Sequence, residues 1–115
     1  MAYFDYPVFG PNQARLDVAS AATITALNST RSFVKLTGAT ATSLQGITAG
    51  RDGQGLRLVN LTGQNMTVAN ENAGATAADR ITTMTGADVL TTANGAAEFV
   101  YDTGSSRWIC LYVTA

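Results

Sequence analysis

The side chains that could carry out chemistry in this chain are few and scattered. Histidine is absent, which removes the usual general base near neutral pH and the commonest metal ligand. The single cysteine, Cys110, lies between apolar neighbours, and a reactive thiolate would need a nearby histidine or a helix N-terminus. The sequence therefore predicts that Cys110 is a buried, unreactive thiol that forms no intramolecular disulfide.

Acidic residues and one glycine-rich loop are the remaining candidates for a chemical site. The acidic residues that could form carboxylate pairs are Asp79, Asp88, Glu98 and Asp102. They lie beside turns, where aspartate normally bonds its own backbone, which weakens a glycosidase interpretation. Residues 50–55 resemble a phosphate-binding loop only loosely, because they lack the Lys-Ser/Thr of a P-loop and precede a predicted strand.

A calcium site would need several oxygen ligands at regular spacing. The available candidates are Asp52, Asn70, Glu71 and Asn72, and their spacing is not that of an EF-hand. The sequence thus predicts no catalytic residues, no cofactor and no metal ligands.

The composition is that of a single domain with a weakly charged surface. Charged residues make up 13% of the 115 residues, against about 25% in typical soluble domains, and the formal net charge is −1. Such a surface offers no basic face to a nucleic acid. The amino terminus lacks the pattern of a signal peptide, and no stretch approaches the roughly 18 apolar residues that span a bilayer. We expect no membrane partner and folding in a cytoplasm.

Short runs rich in β-branched and aromatic residues alternate with turn formers from residue 22 onward. The predicted strands are 22–27, 32–37, 43–48, 55–61, 65–70, 80–84, 88–92, 96–101 and 107–113. This spacing predicts an all-β fold, a small antiparallel β-sandwich or barrel over residues 21–115. Asn94-Gly95 favours a tight hairpin, and residues 71–79 are predicted to form a long loop.

The first 20 residues are predicted to form an extended docking arm. Both prolines and several aromatic residues are concentrated there, and proline cannot donate to a β-ladder. The aromatic side chains Phe4, Tyr6 and Phe9 are the predicted anchors, since a few aromatic residues often dominate an interface.

The last predicted strand is apolar on both faces, which indicates that the domain does not stand alone. Strict alternation places Trp108, Cys110 and Tyr112 on one face, and the opposite face then carries Ile109, Leu111 and Val113. Burying three aliphatic side chains is worth roughly 5–9 kcal/mol, which is comparable to the stability of a whole domain. We therefore predict that Ile109, Leu111 and Val113 form a subunit interface in a homo-oligomer.

The carboxyl-terminal half resembles a known group of viral domains. The elements that carry the resemblance are a strand–Asn–turn–strand unit at 55–68, the segment 94–102 that ends in Tyr101-Asp102, and the Ser106-Arg107-Trp108 strand start. Within 102–107, Asp102 is expected to begin a turn, Gly104 to take a positive φ and Arg107 to pair with Asp102. Over residues 47–113 this pattern is similar to small β-domains of phage tail fibres, head fibres and capsid decoration proteins.

That resemblance implies a virion component made inside the host cytoplasm and often trimeric. The main functional prediction is a non-enzymatic phage structural protein, a capsid decoration or cement protein that binds the major capsid protein as a trimer. The alternative is a head- or tail-fibre tip that binds a host surface glycan, with Trp108 and Tyr101 as the stacking groups if they are exposed. The favoured interpretation of Trp108 is a core residue, because it alternates with Cys110 and Tyr112.

Overall fold

The computed structural model describes residues 14–114, which are built almost entirely of β-strands. In chain order the strands are β1 (Leu16–Ala19), β2 (Thr23–Ile24), β3 (Phe33–Thr37), β4 (Thr42–Leu44), β5 (Gly55–Asn60), β6 (Met66–Val68), β7 (Ile81–Thr83), β8 (Val89–Thr91), β9 (Gly95–Asp102) and β10 (Arg107–Val113). One 3-10 turn, Ala77–Asp79, precedes β7 within the predicted loop. No helix in this part of the chain has the length and apolar character needed to cross a bilayer.

The amino-terminal half winds back and forth between two sheets in parallel coils. In the larger sheet β1, β3 and β5 lie side by side, with Leu16 opposite Val34 and Val34 opposite Leu58. In the smaller sheet β2, β4 and β6 stack in the same way. Each coil therefore contributes one strand to each sheet, which is a solenoid-like arrangement.

The carboxyl-terminal half closes this stack at one end. Strand β9 pairs antiparallel with β5, β10 pairs antiparallel with β9, and β7 adds in parallel to β10. The larger sheet therefore has the order β1-β3-β5-β9-β10-β7. Strand β8 pairs antiparallel with β6 and completes the smaller sheet, β2-β4-β6-β8.

One hydrophobic core joins the inward-facing side chains of both sheets. Its largest fully buried members are Trp108, Phe99, Leu27, Leu36, Leu44, Ile47, Leu56, Leu58, Met66, Ile81, Val34 and Val68. The Tyr101 ring meets the Trp108 indole edge-on, with centroids 5.2 Å apart, and the indole Nε1 donates to the Thr48 carbonyl oxygen at 2.9 Å. The expectation that Trp108 is a core residue is confirmed.

The all-β class is confirmed, and each of the nine predicted strands overlaps an observed one. The pairing differs from the prediction, because solenoid-like stacking of parallel strands takes the place of an antiparallel sandwich or barrel. Strand β1 lies inside the 1–20 segment predicted as an arm and forms an edge of the larger sheet. The predicted anchors Phe4, Tyr6 and Phe9 lie outside the described residues.

Two turn predictions are corrected. Asn94-Gly95 does not form a hairpin, because β8 and β9 belong to different sheets. Gly95 is required for another reason, since a Cβ there would lie 2.3 Å from the Thr114 carbonyl oxygen. In the β9–β10 turn the positive φ falls on Ser106 (55°) and not on Gly104.

The side-chain pairing predicted across the β9–β10 turn is also wrong. Asp102 does begin the turn, and its carboxylate accepts hydrogen bonds from the Gly104 amide at 3.1 Å and the Ser105 hydroxyl at 2.8 Å. Arg107 instead binds Glu71 with Nε, at 2.9 and 3.0 Å from the two carboxylate oxygens. Glu71 belongs to the distant 71–79 loop, so local sequence could not indicate this partner.

Candidate functional site

The outer face of the larger sheet carries a row of aromatic and charged side chains that crosses four strands. Backbone pairing places Phe33, Arg57, Glu98 and Tyr112 next to one another on β3, β5, β9 and β10. Glu98 receives a hydrogen bond from the Tyr112 hydroxyl at 2.7 Å and lies 3.3 Å from Arg57 Nε. Phe33 at the end of the row is 40% exposed, so an aromatic ring lies open to solvent beside this charged pair.

These contacts change the acidity of both ends of the Glu98–Tyr112 hydrogen bond. The Tyr112 hydroxyl, and after it Arg57, lowers the pKa of the Glu98 carboxyl. The Glu98 carboxylate raises the pKa of Tyr112, because losing the phenolic proton would place two negative charges together. At neutral pH the row therefore consists of a guanidinium, a carboxylate and a neutral phenol.

A β-bulge at Leu111 changes which side chains face outward at the end of β10. Cys110 pairs with Phe99 and Tyr112 pairs with Glu98, so Leu111 is an extra residue in the strand. Strict alternation predicted Tyr112 on the Cys110 face, but the bulge turns Tyr112 outward and leaves it 53% exposed. Val113 turns inward, opposite Ala97, and packs against the core.

The three residues predicted to form a subunit interface therefore occupy different environments. Ile109 is half-buried on the outer face beside Val100, Leu111 is 42% exposed at the bulge, and Val113 is half-buried against the core. The role of these residues in a subunit interface stays a prediction.

An apolar groove opens where β10 passes the end of β7. We call it the β10 groove; its volume is about 270 Å³, and it is lined by Thr83, Met84, Thr85, Val89, Cys110, Leu111, Tyr112 and Val113. Met84 at its rim is 69% exposed, the most exposed of the large apolar side chains among the described residues. Sequence reasoning missed Met84, because it places this residue at the end of the predicted strand 80–84, whereas β7 ends at Thr83 and Met84 lies in the following turn.

Cys110 contributes to the wall of the β10 groove but is itself buried. Its side chain lies in the core, and burial raises the pKa of the thiol to about 11. The sulfhydryl donates weakly to the Tyr112 carbonyl oxygen at 3.7 Å. The predicted burial of Cys110 is confirmed, and at neutral pH the group is a thiol rather than a nucleophilic thiolate.

The other sequence candidates are engaged by their own surroundings. Asp79 accepts the Ala49 amide at 2.9 Å, and Asp88 accepts the Asn70 amide at 2.8 Å. Within residues 14–114, no group of three or more Cys, Asp or Glu side chains could hold a metal ion. Trp108 and Tyr101 are both buried, so neither can supply the exposed stacking surface of the predicted glycan alternative.

Comparison of the chain with protein-family models, curated proteins and solved structures finds no match.

Proposed function

We propose that this chain is a non-enzymatic structural protein of a phage virion, a capsid decoration protein that binds the major capsid protein as a homotrimer. The observation that carries the proposal is the β10 groove, with Met84, Leu111 and Tyr112 exposed around it. The site lies beside β7, at an edge of the larger sheet. An apolar groove at a sheet edge is suited to contact between subunits.

The energetic argument concerns the cost of leaving these side chains in water. Full burial of a leucine or methionine side chain is worth about 1.5–3 kcal/mol relative to full exposure. Met84 is 69% exposed and Leu111 is 42% exposed, so a neighbouring surface can still gain much of that free energy. A closed cyclic oligomer buries such a patch without forming an open-ended polymer. That the oligomer is a trimer is taken from the resemblance described above.

The assembly test replaces one exposed apolar side chain by lysine and measures molar mass by light scattering after size exclusion. We expect the unaltered chain to elute as a trimer, and Leu111→Lys and Met84→Lys to shift it to monomer. Leu61→Lys is the matched control, because Leu61 is 46% exposed but lies outside the β10 groove. A monomeric unaltered chain at high concentration would overturn the trimer, and equal disruption by all three variants would overturn the role of the groove.

Capsid attachment is tested separately, by removing residues 1–12 and measuring co-sedimentation with expanded capsids. We propose that Phe4, Tyr6 and Phe9 anchor the chain to the major capsid protein, so the shortened protein should stay trimeric and fail to sediment. Substituting serine at these three positions in the full-length chain is the matched variant. Normal sedimentation of both altered proteins would show that another surface attaches to the capsid.

A further inference from the structure

A second concave site lies on the molecule, away from the β10 groove. It is a cleft of about 770 Å³ between the loop that precedes β3 and the loop that precedes β5. Its lining consists of Ser29, Thr30, Arg31, Ser32, Ala49, Gly50, Arg51, Asp52, Gly53, Gln54 and Gly55. The volume is in the range of small-molecule sites.

The walls of this cleft are held in place by the fold. Gln54 Nε2 donates to the Ser29 carbonyl oxygen at 2.8 Å, which ties the two loops together. The Gln54 side-chain oxygen accepts the Arg51 amide at 2.9 Å, and the Gly53 amide donates to the Tyr101 carbonyl oxygen at 2.8 Å. Gly50 lies over the buried indole, where a Cβ would come within 2.9 Å of Trp108 Cζ2. The cleft is therefore largely preformed.

Five of the seven basic residues of the chain lie beside an acidic residue. Arg15, Arg57 and Arg107 each form an ion pair with a carboxylate. Arg80 lies close enough to Glu71 to lower its pKa, and Lys35 stands opposite Asp17 in the parallel pairing of β1 and β3. The remaining basic side chains are Arg31 and Arg51, and both line the cleft.

Neither of these two guanidinium groups forms an ion pair with a described carboxylate. Arg31 Nη1 reaches only the Thr30 carbonyl oxygen, at 3.3 Å. Asp52, the one acidic residue of the lining, directs Oδ1 to the Thr103 amide at 3.0 Å, on the neighbouring turn. Two exposed guanidinium groups thus line one cleft, and neither is paired with a described carboxylate. Planar guanidinium groups bind carboxylate and phosphate oxygens with two parallel hydrogen bonds.

The lining also narrows the class of ligand. It contains no large apolar side chain, whereas a docked peptide normally needs pockets for apolar anchors. It contains no exposed aromatic ring, on which a neutral sugar would stack. The loop amides of Arg51, Gly53 and Gln54 are bonded within the protein, so a backbone cradle for phosphate is not available. The donors that remain are the two exposed guanidinium groups and the Thr30 hydroxyl, because Gln54 and Ser29 are hydrogen-bonded within the protein.

We propose that this cleft binds an acidic saccharide, a sugar-sized polar ligand whose carboxylate or phosphate group is held by Arg31 and Arg51. The charged group binds the two guanidinium groups, and the ring hydroxyls lie against the Thr30 hydroxyl and the glycine-rich loop 50–55. This site does not depend on capsid attachment or on trimer formation, since it uses neither residues 1–13 nor the β10 groove.

The test is a titration of the full-length protein followed by ¹⁵N NMR, with glucuronate, glucose 6-phosphate, glucose and inorganic phosphate as probes. We expect the two acidic sugars to bind at least about tenfold more tightly than glucose or phosphate, and to weaken as salt is added. Arg31→Gln and Arg51→Gln should each reduce their affinity about tenfold or more. Arg15→Gln is the matched control, because Arg15 is an exposed arginine already bonded to Asp17.

Each other outcome overturns the proposal. Equal affinity for glucose and glucuronate would show that the cleft does not require a charged ligand. Equal affinity for phosphate and glucose 6-phosphate would show that the sugar ring does not contribute to binding. Shifts that persist in the Arg31→Gln/Arg51→Gln double variant would place the ligand elsewhere. Binding of an acidic peptide with no binding of either acidic sugar would assign the cleft to a protein partner. Unchanged thermal unfolding of the variants shows that lost binding is not lost folding.

Discussion

Asn60 and Thr91 join the two sheets through a hydrogen bond in the interior of the protein. The Asn60 side-chain Nδ2 donates to Thr91 Oγ1 at 2.9 Å, and both residues are fully buried. The same amide group donates to the Gln64 carbonyl oxygen and accepts hydrogen bonds from the Thr62 amide and hydroxyl. One side chain therefore shapes the turn after β5 and fixes the spacing of β5 and β8, which lie in different sheets.

Replacing Asn60 by alanine should destabilise the fold strongly. The change leaves the hydroxyl of buried Thr91 and the amide of buried Thr62 without their partner, and each unsatisfied group costs about 1–3 kcal/mol. We expect the free energy of unfolding, measured by urea denaturation, to fall by about 2–4 kcal/mol. The control is Asn65→Ala, at an exposed position in the same turn, where we expect a change below about 0.5 kcal/mol. Similar losses in both variants would contradict the structural role of Asn60.

The positions of the strands could be predicted from the sequence, but their partners could not. Val34 and Leu36, or Leu56 and Leu58, show the period-2 pattern of a strand whichever neighbour it pairs with. Parallel stacking of β3 on β5 depends on the path of the intervening coil, and the loops between coils show no repeated motif. The sequence places the short strand β1 in the predicted arm, because it follows a segment rich in proline and aromatic residues.

The candidate surfaces were predictable only in part, because two of their features arise from tertiary contacts. The apolar composition of the last strand predicts that Ile109 and Leu111 belong to a contact surface. Nothing in the local sequence indicates the bulge that turns Tyr112 outward and Val113 inward. Similarly, Arg31 and Arg51 are ordinary surface arginines in the sequence. They stand out only when the partners of the other basic residues are known.

The Glu98–Tyr112 contact predicts a specific change in titration. Removing the phenolic hydroxyl with Tyr112→Phe should raise the pKa of Glu98 towards its ordinary value, because that hydrogen bond is the main cause of the lowering. The pKa of Glu71, lowered mainly by the Thr82 hydroxyl and secondly by Arg107, should not change. Carboxyl ¹³C NMR titration measures both groups in one sample. An unchanged Glu98 titration would show that the hydrogen bond does not form in solution.

The same contact sets the sign of the pH dependence of stability. Folding lowers the pKa of Glu98. Its contribution to the free energy of unfolding is therefore present above the ordinary glutamate pKa and is lost as pH falls through the lowered value. The pKa of Tyr112 is raised, so its contribution is present below the ordinary tyrosine pKa and is lost as pH rises through the raised value. The difference in stability between the unaltered chain and Tyr112→Phe should therefore shrink at both extremes of pH.

Cys110 should react slowly with thiol reagents while the protein is folded. With the pKa of the thiol near 11, only about 0.1% is thiolate at pH 8, against about a quarter for an ordinary cysteine. We expect the colorimetric disulfide reagent DTNB to react at least about 100-fold more slowly with the folded chain than with the chain in guanidinium. The unfolded sample is the control, and equal rates would show that the thiol is open to solvent. Stability should also fall as pH rises from the ordinary thiol pKa towards about 11.

The bulge at Leu111 predicts that one deletion in β10 is tolerated and a neighbouring one is not. Without Leu111, Cys110 still pairs with Phe99 and Tyr112 still pairs with Glu98, so the ladder becomes regular. We expect this deletion to change the free energy of unfolding by less than about 1 kcal/mol. Deleting Ile109 instead shifts the register by one and moves core side chains to the outer face. That variant should lose more than about 4 kcal/mol or fail to fold.

Chemical denaturation compares the two deletions, and their difference tests the bulge directly. If both cost the same, Leu111 is a paired residue of the strand, and the outward position of Tyr112 is wrong. The Leu111 deletion also separates folding from assembly, because it removes an apolar side chain of the β10 groove while keeping the Glu98–Tyr112 pair. A folded monomer is therefore the expected product, since the contact proposed between subunits is lost while the core of the protein is retained.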